Sequence, residues 1–182
     1  MVEIDARILM RAQKGDVDAI AQVLSSLEPL VYYTCLQMLR NSHDAADAAQ
    51  EALLKMYLGI KNFEGRAALS SWAYRISVNA SLDVIRRRKR SENQIPLVEA
   101  PLAYWEDSAL GPEERALRRD LQEEVLDALQ QIEEGQRAAI LLLEYGGLRY
   151  EEIGEALGIS VGTVKSRVYR GRKALAKILL TE

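Results

Sequence analysis

Between Tyr150 and Leu175 the sequence reads YEEIGEALGISVGTVKSRVYRGRKAL, and its two helical repeats are separated by only Gly158, Ile159 and Ser160. Ile153, Ala156 and Leu157 share one face of the first repeat. Val164, Val168 and Leu175 share one face of the second. Gly158 suits a left-handed helix stop. Ile159 is placed to pack under the turn, and Ser160 is a good N-cap for a helix starting near Val161. Helix, short Gly-containing turn and capped helix form the helix-turn-helix pattern. In that pattern the second helix enters a DNA major groove with its early residues against base edges.

The side chains of the second helix suit that task. Gly162 and Thr163 are small, so the helix end can approach DNA closely. Lys165, Ser166, Arg167, Tyr169, Arg170, Arg172 and Lys173 occupy the outward positions, with no acid among them. Lysine and arginine pair with guanine edges or with phosphates, and the helix start adds attraction for phosphate. The whole chain nevertheless carries a net charge of −3. Positive charge is concentrated here and in Arg86–Arg90, RRRKR, whereas residues 92–107 are acidic and contain no Lys or Arg. For gripping a polyanion the local field matters more than the total.

Several function classes drop out. No apolar run approaches the ~20 residues of a membrane span, and the longest, Ala138–Leu143, has the length of a buried helix segment. The N-terminal MVEIDARILMRAQKGD mixes charge among its apolar residues and is no signal peptide. Cys35 and His43 are each the only residue of their kind, so neither a disulfide nor a Cys/His zinc site can be assembled. There is no Gly-rich phosphate loop. No metal, cofactor or enzymatic activity is expected.

Residues 3–90 read as a run of helices. DVDAIAQVLSSLEPLVYYTCLQMLR is one, with Pro29 either starting a new helix or kinking it. In NSHDAADAAQEALLKMYLGI, Ser42 is the expected N-cap, and Ala46, Ala49, Leu53 and Met56 the expected inner face. KNFEGRAALSS is expected to be a loop, with Ser70 or Ser71 capping the next helix, whose apolar face runs through Trp72, Ile76 and Ala80. From Ser91 to Pro112 three prolines and the loss of any period mark an acidic linker. Two further helices precede the helix-turn-helix. No segment alternates like a strand, so the expected fold is all-α. It comprises two small helical domains, residues 1–91 and 113–182, joined by a flexible acidic linker, 92–112.

Taken together, three segments resemble the extracytoplasmic-function (ECF) sigma factors of bacterial RNA polymerase. LRYEEIGEALGISVGTVKSRVYRGRKAL is similar to the family's region 4, DAADAAQEALLKMY to region 2.2, and FEGRAALSSWAYRISVNASLDVIRRRKR to regions 2.3 and 2.4. The resemblance implies a promoter-specificity subunit that binds core RNA polymerase and promoter DNA and assists promoter melting. Asp44, Asp47 and Glu51, an acidic stripe at i, i+3 and i+7, with Gln50 beside it, would dock on the coiled coil of the largest polymerase subunit. The −10 element would be held as a single strand by the loop Phe63 to Ser70, with Phe63, Arg66, Trp72, Tyr74, Arg75 and Asn79 as its contacts. Arg86, Arg87 and Arg88 would clamp phosphates. Thr163, Lys165, Ser166, Arg167, Tyr169, Arg170, Arg172 and Lys173 would meet the −35 duplex. Lys165 stands where the family often carries Arg, and lysine lacks the bidentate fork. The family further implies a cytoplasmic protein sequestered by an anti-sigma factor, often anchored in the membrane. A stand-alone helix-turn-helix repressor or activator is the alternative reading, and a DNA-processing enzyme a further one.

Overall fold

The computed structural model describes residues 4–65, 67–90, 121 and 123–180. The expected linker at 92–112 and the start of the helix expected after it lie outside the described residues. Eight α-helices are present among them: α1 Ala6–Gln13, α2 Val17–Leu39, α3 Ser42–Gly59, α4 Leu69–Arg90, α5 at 123–130, α6 Glu134–Glu144, α7 Tyr150–Leu157 and α8 Val161–Leu179. No strand occurs among these residues, as expected of an all-α chain. No helix among them is long and apolar enough to cross a membrane.

Local chemistry sets the boundaries. Asp5 and Asp16 cap α1 and α2, accepting from the backbone N–H groups of Arg7 at 2.8 Å and Ala19 at 3.1 Å. Pro29 lies inside α2, which continues through it. Pro29 and Ser25, one turn earlier, are both exposed, so water can serve the carbonyl that proline leaves without a donor. The chain reverses at Arg40, whose φ of 53° is left-handed. The extended cap position therefore falls on Asn41 and not on Ser42: Asn41 Oδ1 accepts from Asp44 N–H at 2.9 Å.

Helix α3 buries Ala45, Ala48, Ala49, Ala52 and Met56. The expected face was rotated from this one, for Ala46 and Leu53 are only half-buried. Four alanines allow the helix axis to come close to α2 and α4. The expected loop after α3 begins with a 3₁₀ turn, Ile60–Asn62. Helix α4 already starts at Leu69, with Trp72 N–H donating to Ala68 O at 3.1 Å, so Ser70 and Ser71 sit in its first turn instead of capping it.

Helix α4 is buried on more than one side because it lies between α2 and α3 on one flank and α6 and α7 on the other. Its buried residues are mostly small: Ala73, Ser77, Ala80 and Ser81 among them. The hydroxyls of Ser77 and Ser81 donate to the carbonyls of Ala73 and Ser77, one turn back, so they enter the interior satisfied. Where α2 meets the C-terminal helices, Gln130 Nε2 donates to Gln37 O at 2.8 Å. Arg137 donates to the carbonyl of Met38, and two ion pairs, Arg40–Asp127 and Lys89–Glu134, close the edges. Residues 4–90 and 123–180 thereby share one continuous apolar core.

Candidate nucleic-acid interface

The turn between α7 and α8 has the anticipated geometry. Gly158 has φ +65°, and Ile159 N–H returns to Gly154 O at 3.0 Å. Ser160 Oγ accepts from Thr163 N–H at 3.2 Å. Helix α7 is capped in a way the sequence reading missed: Glu152 Oε2 reaches back to the Arg149 N–H at 2.8 Å. Val164 and Val168 are buried against α6, whereas Leu175 is half-buried. Gly171 meets α6 so closely that an ideal Cβ there would lie 2.6 Å from Ile140 Cδ1.

This seat decides which candidates point outward. Gly162, Thr163, Lys165, Tyr169, Arg170, Arg172 and Lys173 are exposed. Ser166 Oγ accepts from Arg170 Nε at 3.1 Å and Nη2 at 2.5 Å, so two candidates are coupled. Arg172 Nε donates to Glu144 Oε1 at 3.1 Å. Arg167 departs from the expected outward row. It is half-buried with its guanidinium over Gly135, where a Cβ would come within 2.8 Å of Cζ. A hollow of about 560 Å³ on the outer side is lined by Tyr150, Lys165, Val168, Tyr169, Arg172 and Lys173. It has an apolar floor and a cationic rim. Tyr150 was not legible as part of it, because it belongs to the preceding helix.

The strand-binding candidates divide. Phe63 is 8% exposed and its ring centroid lies 5.3 Å from that of half-buried Trp72, with the planes at 49°. Both line a cleft of about 480 Å³ together with Arg75 and Asn62. The opposite wall is formed by Arg149, Glu151, Glu152 and Glu155 around α7. Arg66 lies outside the described residues. Tyr74 and Asn79 do not line this cleft. Burial, with the nearby Tyr145 adding to it, raises the phenol pKa of Tyr74 above its usual value. Asn79 Nδ2 donates to Ala156 O at 3.1 Å.

The expected acidic stripe is not uniformly exposed. Asp44 pairs with Arg88, and its side chain is only 19% exposed. Glu51 accepts from Lys55 at 3.0 Å and from Arg87 at 3.0 Å, and these partners, Lys55 foremost, lower its pKa. Arg86 bonds to Asp83 at 3.0 Å. Two arginines of the expected phosphate clamp, Arg87 and Arg88, thus neutralise two acids of the expected docking stripe, Glu51 and Asp44, across α3 and α4. Asp47 and Gln50 remain exposed, and the same side of α3 continues through exposed Leu54, Tyr57 and Leu58. Among the described residues, no group of three or more acidic, Cys or His side chains could hold a metal ion.

A capped turn followed by an exposed basic helix defines a helix-turn-helix DNA-binding protein. Residues 23–91 match the family Sigma-70 region 2, and residues 122–175 match Sigma-70, region 4. The chain is 35% identical over 176 residues to the ECF RNA polymerase sigma factor SigW of Bacillus subtilis, covering 94% of each protein. It is 32% identical over 177 residues to the ECF RNA polymerase sigma-E factor of Escherichia coli, covering 94% of this chain and 92% of that one. Among solved structures, the sigma factor RpoE of Bartonella quintana, in complex with the anti-sigma factor NepR, superposes with a TM-score of 0.67. The match has 26% identity and spans 91% of this chain and 99% of that one. The fold is also that of CnrH, solved with the cytosolic domain of CnrY, at TM-score 0.62, 20% identity and 99% coverage of both chains. The chain belongs to the sigma-70 family and is an ECF RNA polymerase sigma factor. It binds core polymerase and promoter DNA, and the alternative of a stand-alone repressor or activator finds no support.

Proposed function

We propose that this sigma factor divides its work between residues 1–91, which dock on core polymerase and hold the −10 strand, and residues 113–182, which read the −35 duplex, with 92–112 as the tether. Thr163, Ser166, Tyr169 and Arg170 face the −35 groove, and Lys165, Arg172 and Lys173 hold its phosphates. Phe63 and Trp72 shape the −10 cleft, Arg75 meets its phosphates, and Asn79 becomes available to a base when its bond to Ala156 is released. Asp47 and Gln50 form the centre of the polymerase-docking face. The chain itself catalyses no reaction. Free energy from polymerase docking and from two DNA contacts offsets the cost of melting.

The observation that supports this best is the outward basic face of α8, held by buried Val164 and Val168 and started by the Ser160 cap. The sigma factor RpoE was solved in complex with an anti-sigma factor. By analogy this chain is held inactive in the cytoplasm by an anti-sigma factor, at the membrane face where that partner is anchored there. In vitro transcription with core polymerase on a random promoter library tests the reading. Enrichment of two spaced elements is expected, and failure to initiate at any defined site overturns it.

A further inference from the structure

Gln13 is the last residue of α1, 50 residues ahead of Phe63, yet its Nε2 donates to the Phe63 carbonyl at 2.6 Å. The N–H of Phe63 is held as well, donating to Ile60 O at 3.2 Å. Phe63 closes the 3₁₀ turn in an extended conformation, φ −70° and ψ 108°. Its ring packs on Trp72. Both backbone polar groups and the ring of Phe63 are thus engaged, whereas Glu64, Gly65, Ala67 and Ala68 beyond it are exposed. Phe63 is where the loop leaves the folded body.

The glutamine is itself well anchored. Ala12 beside it is fully buried, and Gly15 N–H returns to Ala12 O at 2.9 Å. Arg11 Nε donates at 2.8 Å to Oδ2 of Asp16, the residue that caps α2. Gly15, with φ +90°, passes so close to the 3₁₀ turn that an ideal Cβ there would lie 3.3 Å from Cε and Nζ of Lys61. Among the described residues, none of α1 lines the cleft itself. Helix α1 touches the strand-binding site only through the turn beneath it.

We propose that Gln13 is a positioning residue for −10 recognition: through the Phe63 carbonyl it fixes where the loop departs, and with it the stance of Phe63 and Trp72 in the cleft. This rests on the −10 reading above. A carbonyl on a buried residue needs a donor. Without the Gln13 amide it must turn toward water, and the peptide plane that carries the loop turns with it. A pocket discriminates between bases only while its walls are held by the residues behind them.

The test reads selection and not affinity alone. The full chain, assembled with core polymerase, is offered a pool of short single strands randomised over the −10 positions, well below Tm. The readout is the ratio of affinities for the preferred and the average strand. Both affinities belong to the same folded chain, so a loss of stability cancels from the ratio. Gln13→Met keeps the length and removes the donor, and Gln13→Glu keeps the shape but turns an acceptor on the carbonyl. Each should lower the ratio about fivefold, the worth of one ordinary net hydrogen bond. Binding of a −35 duplex should stay unchanged, while Tm falls by about 2–4 °C. Ala67→Trp, at an exposed loop position, blocks the loop and should flatten selection altogether. An unchanged ratio in both Gln13 variants, with Ala67→Trp flat, overturns the role of Gln13 and leaves the −10 reading standing. Selection that survives Ala67→Trp overturns that reading and the proposal with it.

Discussion

Arg87 Nη2 donates to Glu51 Oε2 at 3.0 Å, joining the basic end of α4 to the acidic side of α3. Arg88 does the same for Asp44. Two charge blocks that look independent along the chain are one neutralised seam in the fold. What α3 offers a partner is the row beside the seam, where Asp47 and Gln50 lead into Leu54 and Leu58.

That seam separates docking from stability. Asp47→Lys changes an exposed charge and should sharply reduce co-purification of core polymerase without moving Tm. Asp44→Asn removes the charge that pairs with half-buried Arg88 and should cost about 1–2 kcal/mol, or roughly 2–8 °C in Tm. Pull-down and thermal melts of both variants check this. Equal polymerase capture by Asp47→Lys and the unmodified chain would place the docking surface elsewhere.

The Lys89–Glu134 pair carries a pH signature. The Lys89 ammonium, with backbone N–H and the charges of Lys89 and Arg137 adding to it, holds Glu134 below its ordinary range, which centres near 4.3. Folded Glu134 thus binds a proton less readily than unfolded. Its contribution is complete above about pH 4.3 and is lost as pH falls through the depressed folded value. A carboxyl-carbon NMR titration should find a low midpoint that rises in Lys89→Met. An unchanged midpoint in that variant would show that Lys89 does not hold the carboxylate.

What could be read from the sequence was local. Gly158 and Ser160 announce a stop and a cap within three residues, and both behave as their side chains dictate. The cap of α3 was misplaced by one residue because the left-handed turn at Arg40 leaves no sequence signal, being neither Gly nor Asn. Ser77 and Ser81 read as polar yet are buried, since each hydroxyl is satisfied one turn back. Periodicity could not show that Arg167 turns onto Gly135 while Arg170 stays outside. Least legible was how the C-terminal helices meet α2 and α4: the Arg137–Met38 and Asn79–Ala156 bonds join residues remote in sequence, and nothing in either segment names its partner.

Packing of the recognition helix depends on one missing side chain. A Cβ at position 171 would lie 2.6 Å from Ile140 Cδ1 and 3.2 Å from Gln136 Cβ. Gly171→Ala should therefore destabilise α8 on α6 by about 1–3 kcal/mol through overpacking, against the small gain in helix propensity. Ile140→Val deletes the opposing methyl and should restore most of the loss. Denaturant melts of the single and double variants measure the coupling, and additivity between the two would mean that the contact does not matter.

Arg170 and Ser166 make the sharpest specificity test. The hydroxyl of Ser166 accepts from the guanidinium at both Nε and Nη2, which restrains its plane and leaves the N–H groups of Nη1 outside this bond. A guanidinium so fixed is suited to bidentate reading of a guanine edge. Arg170→Ala should cost about 1–3 kcal/mol at one position of the −35 element and relax preference there. Ser166→Ala, which only loosens the plane, should cost less at that same position. Lys165→Ala, a point charge without the fork, should weaken all sequences alike and reduce the salt dependence by about one phosphate contact. Binding of a −35 duplex library at two salt concentrations separates these patterns. A loss for Arg170→Ala that is uniform across sequences and disappears at high salt would make Arg170 a phosphate contact and return base reading to the helix start at Thr163.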